Sequence, residues 1–193
     1  MPKKILIING HPNKESFNAA IVDAYSAGAT QRGALVKLIT IADLDFDPNL
    51  RYGYRKRMEL EQDLVNAQEA ILWADHLVWI HPVWWGGLPA IAKGFIDRVF
   101  LPGFAFRYRE NSVFWDKLLK GRSAHIITTL DQPGWYYRFF FGRPSINQLK
   151  KSTLQFCGFD PVKVSLIGIV KIADQKKREM WLAKVKKLGL GQK

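Results

Sequence analysis

Five short apolar runs alternate along this chain with segments whose apolar residues recur at helical spacing, and that alternation admits few folds. The runs are Lys3–Ile8, Leu35–Ile39, His76–Ile80, Ala124–Thr128 and Val162–Ile167. The first is almost continuously apolar, as expected of a strand covered on both faces. Helices are expected over Asn18–Gly28, with Ala20, Ile21, Ala24 and Tyr25 inward, and along the face Leu60, Leu64, Ala67, Ile71 and Ala74. Three more follow: one after Pro89 with Ile91, Phe95 and Val99, one over Ser145–Phe156, and one over Ala173–Leu188. Strands separated by helices need crossover connections, which makes the sheet parallel and puts helices on both of its faces. Right-handed crossovers leave the doubly wound α/β order 2-1-3-4-5 as the expected topology. No repeat or linker interrupts the chain, so residues 1–193 are expected to form a single domain.

In such a sheet a ligand binds beyond the carboxyl ends of the strands, where the strand order reverses. Here that means the loops Gly10–Asn18, Pro82–Gly87 and Thr128–Tyr136, and the unusual residues of the chain fall in these loops. The first runs into a helix N-terminus, whose free N–H groups and dipole attract anions. Ser16 can donate to a phosphate oxygen there and His11 can add a hydrogen bond; alternatively Ser16 is only a helix cap. In the second, Pro82-Val83-Trp84-Trp85-Gly86 suits a wall for a flat aromatic ligand, or else a tight turn with two core tryptophans. In the third, Thr128-Thr129-Leu130-Asp131 offers hydroxyls and N–H groups to the polar edge of a ring. The aromatic run Trp135–Phe141 that follows reads as a lid, a dimer contact or a membrane-facing patch, in that order.

Other chemistries are disfavoured. Neither G-x-G-x-x-G nor G-x-x-x-x-G-K-[ST] is present, and neither is G-x-S-x-G. His11, His76, His81 and His125 lack metal-ligand spacing, so no metal is expected, and His76 and His125 read as structural residues. A lone Cys157 excludes a disulfide framework and points to a reducing, cytoplasmic setting. The N-terminal apolar run is too short for a signal peptide or a membrane span. The net charge is +12, but the basic residues are spread along the chain. They read as a solvated face that also attracts phosphorylated cofactors, not as a nucleic-acid interface. A pocket rich in aromatics and poor in acids, bases and metals suits a cofactor that carries its own chemistry.

Taken jointly, several motifs over roughly residues 3–167 identify a resemblance. They are Gly10-His11-Pro12 with Ser16-Phe17-Asn18, His81-Pro82-Val83-Trp84-Trp85-Gly86, Pro89-Ala90-Ile91-Ala92-Lys93-Gly94 with Asp97-Arg98-Val99, and Gly103-Phe104-Ala105-Phe106. With Thr128-Thr129 and Phe156-Cys157-Gly158-Phe159, the chain resembles the flavodoxin-like NAD(P)H:quinone oxidoreductase family of the DT-diaphorase and modulator-of-drug-activity type. The resemblance implies a flavin, FMN or FAD, reduced by NADPH or NADH and reoxidised by a quinone or a nitro or azo compound in a ping-pong cycle. It implies that His11, Ser16, Phe17 and Asn18 hold the phosphate end. Pro82, Val83, Trp84, Trp85 and Gly86 would flank the isoalloxazine, with Thr128, Thr129, Leu130 and Asp131 at its edge and Tyr136 lining the substrate side. A homodimer whose site includes the partner's aromatic loop is implied as well. The alternative the family allows is a regulatory flavoprotein that touches a membrane transport protein or the membrane surface.

Two departures from the family pattern stand out. Leu130-Asp131 replaces a Gly-Gly, which alters the backbone approach and adds a negative charge. Phe140, Phe141 or Gly142 stands where the family has a histidine partner for the tyrosine. The connection Asp43–Arg57 is also shorter than in the larger FAD enzymes, leaving less wall for an adenine and favouring FMN.

Overall fold

The computed structural model describes residues 1–191 and contains a five-stranded parallel sheet. In chain order come β1 (Lys4–Asn9), α1 (Phe17–Gln31), β2 (Leu35–Thr40), α2 (Gln62–Trp73), β3 (His76–Pro82) and α3 (Ala90–Val99). A small pair, β4 (Phe106–Tyr108) and β5 (Trp115–Lys117), precedes β6 (Ser123–Leu130), α4 (Gly134–Phe139), α5 (Pro144–Asn147), β7 (Val162–Gly168) and α6 (Gln175–Gly191). The sheet runs β2-β1-β3-β6-β7, which is the expected order 2-1-3-4-5 once the small pair is set aside. Strand order therefore reverses between β1 and β3, and the first loop opens at that point.

Alternation along the strands sorts the core into two layers. Leu6, Ile8, Leu77, Trp79, Ala124 and Ile126 face α2 and α3. Ile5, Ile7, Val78, Ile80 and Ile127 face the other way, toward α1 and α6. Those two helices pack so closely that a Cβ on Gly28 would strike the Lys186 carbonyl, and one on Gly189 would strike that of Tyr25. Only glycine allows backbones this near each other. His76 and His125 are structural as expected, with His76 Nδ1 2.8 Å from Ser123 Oγ and His125 Nε2 2.9 Å from Ser165 Oγ. Burial pushes the His76 pKa down to about 3.

Three segments differ from the sequence reading. Between α3 and β6, where the sequence pattern assigns no strand, β4 and β5 form an antiparallel hairpin. Trp115 stacks on Phe156 at 4.3 Å and donates its indole N–H to the Phe156 carbonyl, so the hairpin is bound to the core through aromatic contact. The helix expected over Ser145–Phe156 starts at Pro144 and widens into a π-helix over Gln148–Gln155, where Thr153 Oγ1 donates to the Gln148 carbonyl. The aromatic loop Gln132–Pro144 contains α4, a helix held by the fully buried Tyr137.

Candidate functional site

The first loop is organised by side chains that accept from the backbone two residues ahead. Asn9 Oδ1 accepts from His11 N–H (3.1 Å), His11 Nδ1 from Asn13 N–H (2.9 Å), and Asn13 Oδ1 from Glu15 N–H (2.9 Å). Because Nδ1 of His11 accepts, the ring proton sits on Nε2, which makes that edge a donor. Partial burial holds the His11 pKa below its ordinary value, so the ring stays neutral near pH 7.

The chain then enters α1 through Ser16, whose extended backbone occupies the cap position without a side-chain cap bond. Its Oγ is buried and meets no partner. The pure helix-cap reading of Ser16 is thereby removed. Asn18 is buried as well: its Oδ1 accepts from Thr129 Oγ1 at 2.8 Å, joining the first loop to the end of β6, while its Nδ2 is unpaired. Two buried polar atoms without partners beside a helix N-terminus suit an anion-binding end.

The second loop is a two-residue turn. Trp84 N–H donates to the Gly87 carbonyl (3.1 Å) and Gly87 N–H returns to that of Trp84 (2.8 Å). Trp85 and Gly86 between them have φ of 51° and 76°, the left-handed pair a tight reversal of this kind demands. Trp84 is half exposed and meets the His11 ring edge-on at 5.5 Å. The core-tryptophan reading fails for both indoles, since Trp85 is fully exposed. The Gly86 carbonyl accepts from Tyr137 Oη–H (3.0 Å) and Ser145 N–H (3.1 Å), which fixes the turn to α4 and α5.

These loops enclose a cleft of about 310 Å3 at the carboxyl end of the sheet. Its lining unites His11, Ser16, Phe17, Asn18, Pro82, Val83, Trp84, Thr129, Leu130 and Asp131. Four other expected residues lie outside it. Thr128 is fully buried and turns toward His81, its Oγ1 3.3 Å from Nε2, because adjacent strand residues face opposite sides. Trp85 points into solvent from the left-handed turn, and Gly86 supplies the turn itself. Tyr136 lies on the outer side of α4, stacked on Phe140 at 4.9 Å; the inward tyrosine is Tyr137. Nor does the aromatic run close over the cleft as a lid in this conformation.

Three residues were missed. Asn13 and Val170 line the cleft, and the Arg178 guanidinium sits over the Phe17 ring at 5.3 Å. Arg178 also donates to the carbonyls of Ala173 and Val170, which holds a positive charge near the first loop. Asn13 could have been found from its place in the loop. Arg178 was concealed in a basic helical stretch. The two residues that replace Gly-Gly are accommodated: Leu130 buries its side chain beside Tyr137 and Ile146, and Asp131 accepts from Lys171 N–H at 2.7 Å. Cys157 is buried, its pKa pushed up to about 12, and takes no part. No group of side chains suited to a metal occurs among the described residues.

Residues 3–188 match a family described by its flavodoxin-like fold. An uncharacterized NAD(P)H oxidoreductase of Haemophilus influenzae is 29% identical over 179 residues, covering 90% of this chain and 88% of that protein. A ribosyldihydronicotinamide dehydrogenase [quinone] of Pongo abelii is 26% identical, covering 94% of this chain and 88% of its own length. Among solved structures, an FMN-dependent NADH-azoreductase of Bacillus anthracis in complex with FMN superposes with a TM-score of 0.75 at 18% identity, over 98% of this chain and 99% of that one. That last likeness concerns the fold.

Proposed function

The chain belongs to the flavodoxin-like fold family, and from that premise we propose that it is a flavin-dependent NAD(P)H oxidoreductase acting on quinones or on nitro or azo compounds. The observation that carries the reading is the cleft in which unpaired Ser16 Oγ and Asn18 Nδ2 lie beside a helix N-terminus, across from the half-exposed Trp84. Its relatives named as NAD(P)H oxidoreductase and quinone dehydrogenase support the same chemistry.

The residues fit FMN better than a larger group. The N–H groups of the first turn of α1, Ser16 Oγ, Asn18 Nδ2 and His11 Nε2–H form a compact set of donors for one phosphate, with the Arg178 charge nearby. Val83 and Trp84 offer the flat ring an apolar wall, and Thr129 to Asp131 border it. Held by these residues, a flavin would supply hydride chemistry between NADPH or NADH and the acceptor, in a ping-pong sequence. The protein's part is to fix the phosphate end, to hold the ring against Trp84, and to keep a neutral His11 as donor. The reading includes a homodimer whose site takes in the partner's aromatic loop, and the exposure of Trp135, Phe139, Phe140 and Phe141 supports it. No helix among the described residues is long and apolar enough to cross a membrane. The lone, buried, unpaired Cys157 supports a reducing, cytoplasmic setting.

The test is a visible spectrum of the purified protein, repeated after anaerobic NADPH and then menadione, with the released flavin identified by chromatography. A yellow protein that bleaches and recovers, releasing FMN, is expected. A colourless protein that takes up neither FMN nor FAD would overturn the assignment.

A further inference from the structure

Among the residues that line the cleft, Asp131 is the one with a formal charge, since the His11 ring is neutral. The molecule around it has a net charge of +12, yet no cation among the described residues forms an ion pair with this carboxylate. The Arg178 guanidinium is committed instead to the carbonyls of Ala173 and Val170 and to the Phe17 ring. The fold nevertheless holds the carboxylate in place. Its Oδ1 accepts from Lys171 N–H at 2.7 Å, while Val170 N–H donates to the Leu130 carbonyl at 3.1 Å. The end of β6 is thus tied twice to the segment that follows β7.

Strand register tells which end of the cleft the carboxylate serves. β3 and β6 pair Pro82 with Thr129, and Val83 N–H donates to the Thr129 carbonyl at 2.8 Å. Thr129 Oγ1 reaches Asn18, at the end of the cleft with the phosphate donors. Two residues further along the same two segments come Trp84 and Asp131, and both line the cleft. The carboxylate therefore belongs to the level of the indole wall, beyond that of Asn18.

We propose that Asp131 sets the reducing power of the site: its carboxylate stands at the ring end of the cleft and disfavours reduced FMN relative to oxidised FMN. The inference rests on the flavin reading. A hydride from NAD(P)H carries two electrons and one proton, so the ring becomes one unit more negative as NAD(P)+ leaves. That charge is relieved when the hydride passes to the acceptor and a proton from water completes the product. A fixed negative charge nearby raises the energy of the reduced form by Coulomb repulsion and has no such effect on the oxidised ring, which makes the bound ring a stronger reductant. The phosphate of FMN has the same charge in both redox states, so any repulsion on it cancels in the ratio of the two affinities. The Asp131 side chain is exposed, and solvent screens its effect on that ratio to about fivefold.

The experiment uses full-length protein loaded with FMN. Its midpoint potential, from anaerobic titration against a reference dye, and the Kd of oxidised FMN, from fluorescence quenching, together give the Kd of reduced FMN. Asp131→Asn keeps an Oδ1 acceptor for Lys171 N–H but removes the charge. It should tighten reduced FMN relative to oxidised FMN by about fivefold or more, a rise in potential of about 20 mV or more. Asp131→Glu should keep the wild-type ratio. So should Glu15→Gln, which removes an exposed carboxylate of the first loop that does not line the cleft. A smaller rise in Asp131→Asn overturns the proposal. Tightening of both redox forms alike also overturns it, by putting the carboxylate at the phosphate end, as does an equal rise in Glu15→Gln, which would make the effect one of net charge. A protein that takes up neither FMN nor FAD overturns the flavin reading and this inference with it. A yellow, menadione-active protein whose potential is unchanged in Asp131→Asn refutes the role of Asp131 alone.

Discussion

Tyr137→Phe tests how the aromatic turn of the cleft is held. The hydroxyl is fully buried, donates to the Gly86 carbonyl at 3.0 Å, lies 2.7 Å from Ser145 Oγ and accepts from Ser145 N–H at 3.1 Å. Removing it leaves the Gly86 carbonyl with its bond from Ser145 N–H, but leaves Ser145 Oγ with no partner in a buried site. A lost hydrogen bond costs about 1 kcal/mol and a stranded buried hydroxyl about 1–3 kcal/mol, so a loss of roughly 2–4 kcal/mol is expected. For a chain of this size that is a fall in Tm of roughly 4–16 °C. Urea unfolding of the flavin-free protein, followed by far-ultraviolet circular dichroism, measures it. Tyr137→Phe/Ser145→Ala removes the stranded group and should recover about 1 kcal/mol of the loss. A single variant within about 0.5 kcal/mol of wild type, or a double variant no better than the single, would refute the role given to this hydroxyl.

Other outcomes follow from the same geometry. Trp84→Ala should weaken FMN retention by about tenfold or more, read by equilibrium dialysis, whereas Trp85→Ala should leave it unchanged because that ring faces solvent. Ser16→Ala should leave flavin-free stability within about 0.5 kcal/mol of wild type, since its Oγ has no partner to lose, yet weaken FMN binding by about tenfold; an ordinary cap would show the reverse. Folding stability should fall as pH drops below about 6.5, because His76 and His81, both held near 3 by burial, take up protons only when the chain unfolds. Each folded pKa is depressed, so its contribution is present above the unfolded value and lost on acidification, by about 1.4 kcal/mol per pH unit per proton within the window. Urea midpoints measured from about pH 7 to about pH 5 check this, and His76→Gln should flatten the slope by about one proton.

How far the sequence reached can be judged residue by residue. The period of apolar residues determines the five strands, the helices between them and the division of the core into two layers, because Leu6 and Ile7 must face opposite ways whatever surrounds them. Strands joined by helical crossovers also determine that the unusual loops meet at one end of the sheet, and the chain's own motifs carry the family resemblance. Local pattern ceases to decide where a residue's neighbours come from elsewhere in the chain. Thr128 and Thr129 look alike in sequence. One turns to His81 and the other reaches Asn18, which is 111 residues away.

Tyr136 and Tyr137 are likewise indistinguishable until Gly86 and Ser145 select one hydroxyl, and a helix as short as α4 has no apolar period to set its phase. Trp85 faces water because the turn holds its backbone in the left-handed region. Arg178 reaches the Phe17 ring only because α6 packs across α1 at Gly28 and Gly189. Periodicity is a property of a few adjacent residues and can be read in one dimension. Which atoms of a cleft face each other is settled by packing among distant segments, and only the tertiary structure holds that information.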